Sequence, residues 1–428
     1  MKSTSLAAAA LFAGFGTLVV SAQPPTETNL GNDARGNPLR RAIKTGHVSN
    51  YDETKLRPYT LPDPLVLADG TPVPDANAWQ AKRRPELLRL YETEIYGRIP
   101  TNAPRVTWRV AETDSHARDG AAILKRLEGS IGEGADAPII NVKLFTPAHA
   151  RGPVPVILLV NFGGGNGPAP AATLPSGDPP VASEIFAKGW GYATVAYQDI
   201  QPDRADTWKS GVIGVTLAAT PNKPAQPAPD EWGTISAWSW GVSRIVDYLE
   251  GDTSVNAKQI ALFGHSRLGK TALWASARDP RIAVVYSSCA GEMGSALARR
   301  DWGETVDDMA QNFPWQFAGN FQKWVGRWNE MPVDAHMLIA LSAPRPAFIT
   351  GGTGDQWADP VGEFLSEVAA GPVYRLLGRK DLGVTTLPPL DSPQITGDLG
   401  WHYHTGGHTA TPADWSAFLQ FLAKYFTS

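Results

Sequence analysis

The sequence predicts an α/β fold with a mostly parallel central sheet, on three observations. Apolar runs of strand length, such as VPVILLVNF at 154–162, are continuous rather than alternating, the pattern of a strand covered on both faces. Helix-like tracts separate these runs, and strands alternating with helices imply parallel pairing through crossovers. One apolar lead-in, QIALFG at 259–264, runs through His265, Ser266 and Arg267 straight into a possible helix. Its 428 residues exceed an average domain, but α/β folds often run this long as one unit.

Taken in order, the chain opens as an export signal. Lys2 supplies the positive start, 6–20 is apolar but short for a bilayer span, and Val20-Ser21-Ala22 offers small residues for cleavage. Residues 1–22 are therefore expected to be removed. No later segment is long and apolar enough to span, so no membrane contact is expected after cleavage. With Cys289 as the one cysteine, no internal disulfide forms, which suits an exported bacterial protein, periplasmic or secreted. Residues 23–74 form an N-terminal extension, of which 23–60, polar and Pro-containing, reads as loosely ordered. A helix is expected within 76–100 through Leu87, Leu88 and Tyr91. Alternating segments at 105–110, 121–129 and 139–147 predict antiparallel strands. Buried strands follow at 154–162, 191–198, 259–264, 282–289 and 345–352, with a helix inside 231–251 and an amphipathic one at the C-terminus. Residues 75–428 are read as one catalytic-type domain. The 38 basic and 42 acidic residues nearly cancel, which speaks against a nucleic-acid footprint. Fifteen Trp are mostly core candidates, although flat rings also suit sugar faces.

Ser266 stands where α/β-hydrolases carry a nucleophile. Gly264 and Gly269 supply the small residues a sharp elbow needs, although the spacing is G-x-S-x-x-G rather than G-x-S-x-G. An N-cap serine is the plainer reading. A hydroxyl needs a base, and 400–426 offers His402, His404 and His408. The first two alternate on a strand and read as satisfied structural residues. His408 lies in a glycine-flanked loop beyond it and is chosen as base. An H-x-H-x-x-x-H metal site lacks a carboxylate or cysteine at a familiar spacing. The orienting acid is Asp355, after the 345–352 strand; Asp359, just before Pro360, reads as a helix start. Ser266, Asp355 and His408 then follow the chain order of α/β-hydrolases, a three-layer sandwich. Oxyanion donors are expected from the Arg267 amide, possibly joined by its guanidinium, and from a backbone group near Gly163 in the 161–167 glycine turn.

These residues resemble a known family. GHSRLGK at 264–270 is similar to the G-x-S-R-x-G-K signature of the glucuronoyl esterases, carbohydrate esterase family 15, and the resemblance extends through 295–306, 312–324, 334–346, 352–360 and 406–408. It looks like the bacterial branch. It implies hydrolysis of the ester joining 4-O-methyl-glucuronic acid of glucuronoxylan to lignin alcohols, with Ser266 as nucleophile, His408 as base, Arg267 at the oxyanion and Lys270, Glu304 and Trp357 on the sugar. No cofactor or metal is implied, and a monomer is expected. Many members carry the triad acid as Glu at the position of Cys289; some bacterial members use an acid after the next strand, matching Asp355. Glu292 is the alternative acid. Another serine hydrolase, such as an acetylxylan esterase or peptidase, and an inactive polysaccharide-binding protein are the rival readings. The 378–398 stretch is expected to be an extended loop near the site.

Overall fold

The computed structural model describes residues 29–163 and 177–426. The signal segment and most of the 161–167 glycine turn lie outside the described residues. Eleven strands are described: β1 (Asn29–Asn32), β2 (Pro38–Arg40), β3 (Val106–Ala117), β4 (Ala122–Ile131), β5 (Ile139–Pro147), β6 (Val154–Asn161), β7 (Gly191–Ala196), β8 (Val255–His265), β9 (Ile282–Ser288), β10 (Ala347–Gly352) and β11 (Leu399–His404). Nine of them form one sheet in the order β11-β10-β9-β8-β6-β7-β5-β4-β3. From β11 to β7 every neighbouring pair is parallel. From β7 to β3 every pair is antiparallel. The parallel part is what the strand–helix alternation predicts, and the antiparallel part is what the alternating segments at 105–147 predict.

The continuous apolar strands have a physical reason. β6 is buried along its whole length. Val156, Leu158 and Val160 face one core, while Ile157 and Leu159 face a second across the sheet. β8 divides in the same way, with Ile260 and Leu262 on the first face and Ala261 and Phe263 on the second. Residues of the helices Thr234–Gly251 and Arg267–Arg278 fill the first core, and those of helix Pro412–Leu422 fill the second. At about 25 cal/mol per Å² of apolar surface removed from water, these two cores supply most of the drive for folding. Trp79, Trp232, Trp238, Trp274, Trp401 and Trp415 are among the largest fully buried side chains. At the far edge β3 is largely exposed and carries charges, including the Arg109–Glu128 ion pair to β4, which discourages edge pairing.

Two expectations need correction. The helix expected at 76–100 is a composite: a π-helical stretch, Trp79–Arg83, precedes the α-helix Arg84–Glu94. The 23–60 segment is not loose where it is described. β1 and β2 form a hairpin, and the chain after it is tied to residues some 250 positions away. His47 Nε2 lies 2.7 Å from Asp301, Thr45 donates to Asp307, Glu53 pairs with the buried Arg300, and Asn50 accepts from Gly303 N–H at 3.0 Å. Polar, Pro-containing sequence looks unstructured because its partners are invisible at short range. Among the described residues no helix is long and apolar enough to cross a membrane.

Candidate active site

The site is built at the C-terminal ends of the parallel strands, where loops converge in open α/β sheets. β8 ends at His265, and Ser266 turns the chain into helix Arg267–Arg278 with φ 58° and ψ −129°. A non-glycine residue in this region is strained, and such strain persists only where the surroundings over-determine it. Here they do. A Cβ on Gly264 would come within 1.9 Å of the Leu268 carbonyl oxygen, and one on Gly269 within 2.9 Å of Ser287 Oγ. The Ser266 N–H is fixed by the Ser288 carbonyl at 2.8 Å. The extra residue between Ser266 and Gly269 therefore leaves the elbow intact.

His408 follows β11 in a short loop, and its Nδ1 sits 2.6 Å from Asp355 Oδ2. Asp355 is buried, whereas the imidazole is 41% exposed. With Nδ1 turned to the carboxylate, Nε2 is the nitrogen left for a reacting group. Ser266, Asp355 and His408 line one cavity of about 350 Å³ together with Arg267, Lys270, Glu304 and Trp357. Residues distant in sequence thus converge on one space.

The floor of this cavity is polar and buried. Lys270 is 4% exposed, and burial lowers its ammonium pKa against the opposing pull of Glu304 and Glu292. Burial likewise raises the Glu304 carboxyl, with Lys270 pulling it back down. Glu304 and Trp357 are brought together because the Glu304 N–H donates to the Trp357 carbonyl at 2.9 Å. Gly303, at φ +62°, leaves room for that approach: a Cβ there would sit 2.5 Å from the same carbonyl. A buried cation, a carboxyl and an indole beside a serine can hold the hydroxyls and one face of a sugar acid.

Three further features were not legible from the sequence. Asp203 pairs with Arg267 Nη1 and also accepts from Trp315 Nε1 at 2.6 Å and Gln316 Nε2 at 2.9 Å. It fixes the guanidinium, over which Phe313 lies at 5.0 Å. Glu363 accepts from Gly291 N–H at 2.9 Å and Ser295 Oγ at 2.7 Å, supporting the cavity wall at Gly291 from behind. Burial pushes its carboxyl up to about 8. His265, buried and driven well below its ordinary pKa by desolvation, lies with its ring 4.6 Å from that of His408.

The remaining candidates are placed as follows. Glu292 is buried but does not line the cavity, one of its oxygens has no protein partner, and burial raises its pKa well above the usual range. Its charge is felt at Lys270 and Tyr96, whereas the carboxylate at His408 Nδ1 is that of Asp355. Of the 161–167 turn expected to supply an oxyanion donor near Gly163, residues 164–167 lie outside the described residues, and the Gly163 N–H donates to Asn161 Oδ1 at 2.8 Å. His402 and His404 are both buried and contact Asp414, at 2.6 and 3.0 Å. Asp359 caps helix Pro360–Leu376 by accepting from Gly362 N–H and pairs with Arg300. No residue of 378–398 lines the cavity; part of the segment instead bonds along β11, through Gln394 with Trp401 and Asp391 with Tyr403. Cys289, Asp355 and His408 present potential metal-ligand atoms within 4.8 Å of one another. Burial raises the Cys289 thiol well above its ordinary pKa.

A family model for fungal glucuronyl esterases matches residues 227–378. A curated carbohydrate esterase of an unknown prokaryotic organism is 38% identical, the alignment covering 88% of this chain and 92% of that one. Among solved structures, a glucuronoyl esterase from Solibacter usitatus is 40% identical over 86% of this chain and 99% of its own, with a TM-score of 0.79. The chain belongs to the glucuronoyl esterases. One from Teredinibacter turnerae is 33% identical over 90% and 95%, with a TM-score of 0.80. The esterase is thus a carboxylic ester hydrolase on an α/β-hydrolase sheet. Cys289, where the resemblance implied an acid in many members, follows directly on β9, and Asp355 follows β10.

Proposed function

We propose that the esterase cleaves the bond between 4-O-methyl-glucuronic acid of glucuronoxylan and lignin alcohols by two-step acyl transfer. The observation that carries the reading is the His408–Asp355 contact in one cavity with Ser266 and the Lys270, Glu304 and Trp357 floor. His408 accepts the Ser266 proton as Oγ attacks the uronate carbonyl, and Asp355 holds the imidazole and balances its charge. The oxyanion forms beside the Arg267 amide and guanidinium. When the intermediate collapses, His408 returns the proton to the departing alcohol. Water, deprotonated by the same nitrogen, then releases the glucuronate and restores Ser266. Lys270, Glu304 and Trp357 grip the sugar, so the acid component is selected more strictly than the alcohol. The chain reaches this substrate as an exported, monomeric bacterial protein. Related esterases named 4-O-methyl-glucuronoyl methylesterase support the substrate class. The test is hydrolysis of benzyl glucuronate by purified protein, expected for the native chain and abolished in Ser266→Ala. Release of acetate from acetylated xylan with no turnover of the uronate ester would refute the substrate, and failure of a serine-directed probe to label Ser266 would refute the mechanism.

A further inference from the structure

The ester cavity, about 350 Å³, suits one sugar acid, so the rest of a polysaccharide chain must lie outside it. A second and larger concavity, about 730 Å³, stands on the other side of the wall formed by residues 309–317. Met309, Phe313 and Gln316 face the ester cavity, while Gln311, Pro314 and Trp315 face this groove. The two spaces are joined through Asp203, which grips Arg267 on one side and the Trp315 indole on the other.

The lining of the groove selects its occupant. Trp208 and Trp315, both half-buried, are its more exposed aromatic surfaces, beside the buried Trp232 and Phe317. Each is rigidly mounted: Trp315 by its Nε1 bond to Asp203, and Trp208 by a turn that the buried Gln201 amide holds through Thr207 at 2.7 and 2.8 Å. The charged groups at the rim are already engaged within the protein. Lys44 donates to Gln322 at 2.9 Å, and Glu231 pairs with Arg98 at 3.2 Å. Indole faces, exposed amides such as Gln226, a lysine already donating to an amide and a carboxylate already paired suit an uncharged, hydroxyl-rich ligand with apolar ring faces.

We infer that this Trp208–Trp315 groove is a subsite for the neutral xylan backbone that bears the esterified uronate. The inference rests on the proposed substrate, but it can fail separately. Pre-mounted rings cost little entropy on binding, so their contribution falls on the affinity for the polymer and not on the chemistry at Ser266.

The test compares Trp208→Ala with Ala205→Arg, the latter placing bulk at an exposed position of the groove without removing packed side chain. With methyl-esterified glucuronoxylan as substrate, KM is expected to rise by about five- to tenfold in each variant. With benzyl glucuronate, kcat and KM are expected to stay at native values. Xylohexaose should quench tryptophan fluorescence of the native protein and of Ser266→Ala, and bind more weakly to both groove variants. Absence of xylohexaose binding to the native protein overturns the subsite, as does an equal loss on polymer and small ester in Ala205→Arg. Displacement of xylohexaose by veratryl alcohol would reassign the groove to the aromatic side of the substrate. Because the xylohexaose arm needs no turnover, inactivity on benzyl glucuronate would refute the proposed reaction while leaving the groove decided by binding.

Discussion

The last strand and the loop after it take part in two sets of histidine–aspartate contacts. In one, His408 Nδ1 meets Asp355 at 2.6 Å, with the carboxylate buried and the ring 41% exposed. In the other, His402 and His404 share Asp414, and all three side chains are at most 2% exposed. Asp414 also closes the capping box of helix Pro412–Leu422 with Thr411, and His404 Nε2 lies 3.3 Å from the Gly407 carbonyl. The chemistry of the pair is the same, and what surrounds the imidazole differs. Around His404 both ring nitrogens are committed to the fold. At His408 one nitrogen is anchored and the other is left to a cavity that Ser266 also lines. A histidine–carboxylate contact is catalytic equipment only when part of it remains unsatisfied.

The largest break in this comparison should come from Asp355→Asn. It is expected to lower kcat by about 10⁴-fold, as loss of a triad acid does by leaving the wrong tautomer, with a melting temperature near native. Steady-state kinetics beside a thermal melt would check both halves; native kcat would show that the two clusters are alike. Asp414→Asn is its mirror. It strips the partner from two buried histidines and weakens a helix cap, at a cost of about 3 kcal/mol of stability, while activity at low temperature stays within several-fold of native. Melting and activity measured on the same sample decide this.

The pH dependence sharpens the contrast. Asp414 raises the His404 pKa against the opposing effect of burial, and both histidines help hold the Asp414 carboxyl below its ordinary range. A raised histidine contributes stability that is present below about pH 6.5 and lost as pH climbs through the folded value. A lowered carboxyl contributes stability above the ordinary carboxylate range and loses it as pH falls through the folded value. The gap in melting temperature between native protein and Asp414→Asn should therefore be widest at mildly acid pH and narrow toward alkaline pH. A gap that is flat with pH would contradict the ion pair. The smallest effect is expected from Glu292→Gln, within about twofold in kcat, because that side chain does not line the cavity and Gln preserves its shape. A crippled Glu292→Gln beside a near-native Asp355→Asn would reverse the assignment of the acid.

Legibility followed the range of the forces involved. The elbow at Ser266 could be read because its glycines answer a local steric demand. The strands could be read because burial on both faces leaves unbroken apolar runs, and the distinction between His408 and the pair His402/His404 followed from strand alternation against a glycine loop. Asp203 and Glu363 could not be read. Each resembles an ordinary acid of a loop or a first helical turn, and each acquires its role only when Arg267 or Gly291 arrives from elsewhere in the fold. The N-terminal segment misled for the same reason, its anchors at Arg300, Asp301 and Asp307 being remote in sequence.

That segment has a consequence for how selectivity can be altered. Pro38 lines the ester cavity, its carbonyl held by the Tyr51 hydroxyl at 2.7 Å, yet β1 and β2 form no part of the nine-stranded sheet. A protease cut between residues 41 and 60 would unseat one wall of the reaction chamber and leave the scaffold standing. Discrimination among esters would then fail before thermal resistance did, and a graft of a foreign leading arm would retune the enzyme without repacking its core.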